Sequence, residues 1–345
     1  MAERPPVRVL ITGASGFVGG HVAAACHAAG DEVRALVRRT SDVRHLVALP
    51  GVDLRYGDLA DREAVRAALT GVEVVYHVAA LATGVGSAAR HHAVNVDATR
   101  MLLVQSMAAG VRRFVHMSSP SAVMRDEDGI GITEAEPYPE HHLSEYCRTK
   151  AAAERIVLRA NGPTFTTCAL RPRAVWGPRD RHGFLPRLLR LMRAGRLPDL
   201  SGGRRVYAST CHCLNAALAC VQAGRARDVG GKAYFVTDED DVDVWAFLAE
   251  AAEVFSVPPP GRKVPLPVVR GLARAADVVW RLPVLADRPA PLSRYSIALL
   301  TRHATYDTSA ARADLAYEPV IGRREGLAEL REWVEANGGL DAFLG

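Results

Sequence analysis

The chain has 345 residues, 49% of them apolar and 23% charged, with a formal net charge of +5, and no apolar run reaches the roughly 18 to 20 residues of a membrane span, so wholesale disorder and a spanning helix are both excluded. Only three of its 43 basic residues are lysines, and the arginines form no stripe with interleaved aromatics, which argues against a nucleic-acid surface and leaves a weak pull on phosphorylated small molecules. Six dispersed cysteines, and an N-terminus that runs into an apolar strand without a signal-peptide core, fit a cytoplasmic protein with reduced thiols.

The first half alternates short apolar runs with longer helical stretches. Strands are expected at 7–11, 32–37, 54–56, 72–78, 113–118 and 165–170. Helices are expected at 19–29, at 62–69 with Asp61 as cap, at 88–109 stopped by Gly110, and at 144–161 with Ser144 as cap. This rhythm predicts βαβ units, hence a doubly wound parallel α/β sheet of the Rossmann kind, covered on both faces. After Pro172 prolines and glycines break the pattern. Helices are expected at 184–194, 214–221 and 324–336 and a strand at 234–236, with a hinge at Pro258–Pro260. The division is a dinucleotide-binding domain over 1–176, rejoined by 214–236, and a smaller, mostly helical substrate lobe made of 177–213 and 237–345. The amphipathic stretch 264–300 is read as lobe packing, with a lid over an apolar substrate or a membrane-touching surface as the sharper alternatives.

Thr12-Gly13-Ala14-Ser15-Gly16-Phe17-Val18-Gly19 follows the first strand and opens the first helix. Gly13 permits the tight turn, Gly16 lets backbone approach a pyrophosphate, and Gly19 lets the helix sit close to the sheet. Ser15, Phe17 and Val18 complete a turn whose free N–H groups and helix dipole suit phosphate. The second strand ends in Arg38-Arg39 with no carboxylate, which favours the 2′-phosphate of NADP over the ribose of NAD, Arg38 being the candidate ligand. Asp58 and Leu59 end the third strand, where the carboxylate can reach an adenine amino group.

Tyr146 and Lys150 stand at i and i+4 on one helix face. Chance supplies about 0.08 such Tyr-x-x-x-Lys pairs in this composition. An ammonium beside a phenol favours the phenolate and makes it a usable acid–base for a carbonyl or alcohol oxygen. A hydroxyl at the end of the fifth strand would hold that oxygen: Ser119 is the candidate, with Ser118 and Ser121 behind it.

With TGASGFVG at 12–19, GDL at 57–59, HVAA at 77–80, NVDAT at 95–99, SSPSAV at 118–123, YCRTK at 146–150 and LRPRAVWGP at 170–178, the chain resembles the extended short-chain dehydrogenase/reductase family. A late segment at 306–319 is similar to that family's D-x-S-K-A stretch, with alanine in place of the lysine. Within the family it looks closest to the 3β-hydroxysteroid dehydrogenase, sterol-4-carboxylate dehydrogenase and 2-alkyl-3-oxoalkanoate reductase branch. The resemblance implies Tyr146 as acid–base, Lys150 on the nicotinamide ribose, Ser119 on the substrate oxygen, Asn95 near the site wall, Ala79 and Ala80 along the cofactor groove, and Pro172 beside the nicotinamide amide. It also implies a homodimer through the helices near 88–109 and 144–160. Sugar-nucleotide members carry an asparagine where this chain has Ala174, which argues against a nucleotide-sugar substrate. His212-Cys213-Leu214-Asn215 replaces the usual H-V-D-N and loses an acid at the lobe junction.

These readings point to an NAD(P)-dependent oxidoreductase that interconverts a secondary alcohol and a ketone on an apolar small molecule such as a sterol, a β-keto acid or a polyketide or terpenoid ketone. Epimerase or dehydratase chemistry at the same site, or a silent nicotinamide-binding regulator, are the alternatives. Cys211-His212-Cys213 lacks the spaced pairs of a thiolate zinc site, so no metal is expected. His141-His142 stands just before the Tyr146 helix, and no nucleophile-elbow motif makes a hydrolase.

Overall fold

The computed structural model describes residues 6–82, 87–279 and 293–345. The first half builds β1 (Arg8–Thr12), α1 (Phe17–Ala28), β2 (Glu32–Val37), α2 (Arg44–Val47), β3 (Asp53–Tyr56), α3 (Arg62–Leu69), β4 (Val74–His77), α4 (Ala88–His92), α5 (Ala98–Ala108) and β5 (Arg113–Met117). Next come β6 (Gly129–Ile132), α6 (Glu145–Arg159), β7 (Thr166–Pro172) and β8 (Val175–Trp176). Asp61 caps α3, accepting from the N–H groups of Glu63 and Ala64, Ser144 caps α6, and Gly110 follows α5 with φ +76°, as the sequence predicts.

The remaining elements are α7 (Phe184–Arg193), β9 (Tyr207–Ala208), β10 (Cys211–His212), α8 (Cys213–Arg225), β11 (Lys232–Val236), β12 (Val242–Asp243) and α9 (Val244–Val254). They are followed by α10 (Leu266–Val279), α11 (Arg294–Thr301), β13 (Ala304–Tyr306), α12 (Ser309–Leu315), α13 (Arg323–Ala336) and α14 (Gly339–Leu344).

Seven strands form one sheet in the order β11-β7-β5-β4-β1-β2-β3, every neighbouring pair parallel. Strand order reverses between β1 and β4, where Val9 pairs Val33 on one side and Val74 on the other. In open α/β sheets ligands bind at the carboxyl ends of strands beside such a switch point. The inner strands β1, β4, β5 and β7 are buried on both faces, whereas the edge strand β3 is partly exposed. Val22, Ala23 and Cys26 of α1 and Ala216 and Cys220 of α8 cover one face, over Val9, Ile11 and Tyr234. Leu102 of α5, Val157 of α6 and Leu69 of α3 cover the other, over Leu10, Val75 and Phe114. This is the expected doubly wound Rossmann architecture.

A second core gathers Leu185, Leu189, Phe247, Leu248, Leu327 and Leu330 from the later helices around Trp176 of β8. A small sheet in the order β12-β9-β13-β6 accompanies it. The sequence gives no sign of β6, a four-residue Gly-Ile-Gly-Ile strand whose Gly129 pairs with the distant Ala304. The expected single helix over 88–109 is interrupted: residues Ala93–Asp97 form a π turn between α4 and α5. The extra residue turns Asn95 inward, a feature invisible to a 3.6-residue period. In the 264–300 stretch, 280–292 lie outside the described residues. Val269 of α10 and Ile297 of α11 are buried together with Leu200.

Candidate active site

At the carboxyl end of β1 the chain turns sharply into α1. Gly13 adopts φ +72°, and a Cβ there would lie 2.7 Å from the Ala79 nitrogen. A Cβ on Gly19 would collide with the Gly13 carbonyl, so α1 can approach the turn this closely only with glycine. Gly16 is the N-cap of α1 and no side chain caps that end. The helix therefore offers free N–H groups and its positive dipole end to a cavity of about 2180 Å³. Gly13, Ser15, Gly16, Phe17, Val18 and Gly19 all line this cavity. An uncapped helix end, a glycine-only turn and an opening large enough for a dinucleotide fit a bound pyrophosphate.

The same cavity is walled by Arg38, by Asp58 and Leu59, and by Ala79 and Ala80 after β4. Arg38 is exposed, whereas the neighbouring Arg39 guanidinium rests on the Tyr56 ring, 5.6 Å from its centroid. Further arginines that the sequence reading passed over also line the wall, Arg44 and Arg179 among them. Arg44 is held by Asp42 at 2.6 Å. Arg179 takes φ +71° and lays its guanidinium against Gly20, where any Cβ would meet it. That contact joins residues 159 positions apart, which no local pattern signals.

Farther along the cavity stand Ser119, Tyr146, Lys150 and Pro172. The Ser144 hydroxyl accepts from the Cys147 N–H at 3.2 Å and starts α6 so that Tyr146 lies in its first turn. One turn on, Lys150 is buried and its Nζ donates to the Met117 carbonyl at 2.5 Å. Ser119 follows β5: its hydroxyl accepts from the Ser121 N–H at 3.2 Å and donates to the Ser121 hydroxyl at 3.0 Å. The Ser118 hydroxyl is buried without a partner among the described residues.

The electrostatics differ from the sequence expectation. Burial outweighs every other influence on Tyr146 and pushes the phenol up to about 12, with Ser119 pulling it back and Cys147 adding to the rise. Burial pushes Lys150 down to about 8, Glu154 opposing. An ammonium one turn away does not by itself make a phenolate inside so enclosed a site.

Asn95 is not on the cavity surface. Its Oδ1 accepts from the Leu81 N–H at 2.7 Å and its Nδ2 donates to the Thr149 hydroxyl at 3.0 Å, so it ties the loop after β4 to α6 from behind. Tyr295, absent from the sequence reading, enters from α11. Its hydroxyl is 2.8 Å from that of Ser121 and its ring centroid 6.1 Å from that of Tyr146. Near the lobe junction, where the H-V-D-N acid is missing, Asp238 supplies a buried carboxylate instead, accepting from Trp176, Thr210, His212 and Asn215. Among the described residues no group of three His, Cys, Asp or Glu side chains is gathered for a metal, and no helix is long and apolar enough to cross a membrane.

The model of the 3-beta hydroxysteroid dehydrogenase/isomerase family matches residues 10–268. The chain belongs to that family. It is thereby an oxidoreductase of the extended short-chain dehydrogenase/reductase type. It is 34% identical to the 4-hydroxy-2-methyl-3-oxo-4-farnesyl-3,4-dihydroquinoline-1-oxide ketoreductase of Stigmatella aurantiaca, over 94% of this chain and 96% of that protein. It is 33% identical to the 2-alkyl-3-oxoalkanoate reductase of Stenotrophomonas maltophilia, over 94% of this chain and 98% of that protein. The solved structure of MoeE5 with UDP-glucose and NAD is 26% identical, with a TM-score of 0.73 over 95% of this chain and 99% of that one.

Proposed function

We propose that this protein is an NADP(H)-dependent ketoreductase that converts an apolar ketone to a secondary alcohol. The observation that carries the reading is one continuous cavity with the uncapped glycine turn at one end and Tyr146, Lys150 and Ser119 farther in. Relatives named as ketoreductase and 3-oxoalkanoate reductase over nearly the whole chain support the reduction, and the NAD in a structural neighbour supports a nicotinamide cofactor, the preference for NADP(H) resting on Arg38.

The glycine turn and the α1 N-terminus would hold the dinucleotide pyrophosphate, and Arg38 the 2′-phosphate, with Asp58 and Leu59 beside the adenosine. Ala79, Ala80 and Pro172 would flank the nicotinamide half. The nicotinamide, when bound, supplies hydride to the carbonyl carbon. A phenol with an ordinary value near 10, raised further here by burial, holds its proton at neutral pH, so Tyr146 is ready to donate to the carbonyl oxygen as a general acid. Ser119 orients that oxygen and offsets charge developing on it. Lys150, fixed on the Met117 carbonyl, would reach the nicotinamide ribose and steady the phenol after the proton leaves. Leu197, Leu200, Val244, Phe247 and Leu300 supply an apolar part of the cavity wall suited to a hydrocarbon substrate, beside the arginines at 181, 187, 190 and 196 that line the same cavity.

The test is a panel of alkyl and cyclic ketones with NADPH and NADH. Net reduced-cofactor consumption, faster with NADPH, supports the proposal. Interconversion of stereoisomers with no net consumption points to epimerase chemistry instead and overturns it.

A further inference from the structure

Helix α10 has one side on the core and the other in solvent. Val269 packs with Leu200 and Ile297, which themselves line the cavity, so α10 covers that apolar wall from outside. The outward positions Val268, Gly271, Ala275 and Val279 recur at helical spacing, and all are exposed, Val268 at 53% and Val279 at 44%. No charge interrupts this stripe, whereas the solvent side of a surface helix ordinarily carries charged and polar residues.

The surroundings of the stripe are cationic. Residues 181–198 hold five arginines and no acid. Arg193 meets Asp341, and Arg181 and Arg190 donate to the Ala342 and Leu344 carbonyls, which fastens α7 to α14. Arg187 and Arg196 are exposed at the cavity and have no carboxylate partner among the described residues. Arg262 and Lys263, just before α10, are exposed and equally unpaired among the described residues. Backbone hydrogen bonds join the two groups: the Gly261 N–H donates to the Leu197 carbonyl at 2.8 Å, and the Asp199 N–H to the Arg262 carbonyl at 3.1 Å. The nearby Asp199 carboxylate is taken up by the Ser201 N–H at 2.7 Å. Arg274 stands exposed beside the stripe itself.

We propose that α10 and this arginine–lysine rim seat the protein on an anionic lipid bilayer, with the valine stripe at the acyl boundary and the apolar end of the cavity directly behind it. An uncharged stripe flanked by cations has the composition of a helix that lies in the membrane interface. Each basic side chain beside anionic headgroups strengthens such binding about fivefold. The stripe distinguishes a bilayer from a soluble polyanion, which would answer the charges and leave the valines in water. A second copy of the chain on the same face would set cations against cations across a twofold axis. The seat requires no particular reaction in the cavity; only the passage of an apolar ketone from lipid into it rests on the ketoreductase reading.

The experiment is flotation of the purified full-length protein with vesicles of phosphatidylcholine alone and of phosphatidylcholine with phosphatidylglycerol in equal parts. Wild type should bind the mixed vesicles about 10- to 100-fold more tightly than the neutral ones, and salt should weaken that binding. R262E/K263E and V268D/V279D, all at exposed positions, should each weaken binding to the mixed vesicles about tenfold or more. Wild type that ignores both vesicles, or binds them equally, overturns the proposal, and so do folded variants that bind as wild type does. A wild-type dimer that ignores vesicles and is split by V268D/V279D shows that a second copy covers α10 and also overturns it. The wild-type comparison decides the question even where a variant does not fold. A protein that floats with the mixed vesicles and reduces no ketone keeps the lipid seat and loses the ketoreductase reading.

Discussion

Lys150 Nζ donates to the carbonyl oxygen of Met117, the last residue of β5, and so locks the second turn of α6 to the central sheet. The ammonium is buried there, and burial pushes it from an ordinary value of 10.5 down to about 8. Below about 8 the charge is present in both folded and unfolded chain, and the full cost of burying it is felt. Between about 8 and 10.5 the unfolded chain binds more protons than the folded one, so this cost is relieved as pH rises. K150M should therefore melt higher than wild type near neutral pH without cofactor, on the order of 5 °C, and the gap should close toward pH ~10. Thermal melts across that range check it, and a gap that does not change with pH contradicts it.

Arg38 and Arg39 are adjacent but differently engaged. Arg39 stacks on Tyr56, whereas Arg38 lines the cavity. R38A should raise the KM for NADPH about tenfold or more and leave that for NADH nearly unchanged, while R39A should shift both little. Initial rates with the two cofactors separate these outcomes. A loss shared equally by both cofactors would remove Arg38 from the 2′-phosphate.

Glu154 and Arg171 form a bidentate ion pair whose side chains are 0% and 3% exposed. The Tyr138 hydroxyl also donates to Glu154 at 2.7 Å. Removing one partner leaves a buried charge without compensation, so E154Q should cost about 3–5 kcal/mol in urea denaturation. The double variant E154L/R171M should recover much of that loss. A near-neutral E154Q would show that water reaches Arg171.

Asn95 holds Leu81 and Thr149 without touching the cavity, which makes it a positioning residue. N95A should lower kcat roughly 10- to 100-fold with KM little changed, because the loop after β4 and the Tyr146 helix lose their shared tether. N95D, which can still accept from Leu81, should recover part of the rate. A change confined to KM would argue for direct substrate contact.

The sequence was most legible where signals are local. The glycine turn, the Asp61 and Ser144 caps and the strand–helix alternation are read from neighbouring residues, and the structure places Gly13, Ser119, Tyr146 and Lys150 on one cavity. What escaped was set by contacts far apart in the chain: β6 against β13, Arg179 on Gly20, and Tyr295 on Ser121. The π turn escaped because it accompanies tertiary contacts, the hydrogen bonds of Asn95 to Leu81 and Thr149, that no local pattern encodes. The balance between burial and charge at Tyr146 escaped because residue spacing says which groups are near and nothing about how little water reaches them.

The central claim is that Tyr146 passes a proton to a carbonyl oxygen while hydride reaches the adjacent carbon. Reduction of a ketone with NADPH carrying deuterium at the transferable C4 position, by wild type and Y146F, tests it most directly. Wild type should give an alcohol labelled at the carbinol carbon, and Y146F should bind NADPH normally yet form that product about 100- to 10,000-fold more slowly. Labelled alcohol formed by Y146F at the wild-type rate, or unlabelled alcohol from wild type, would contradict it.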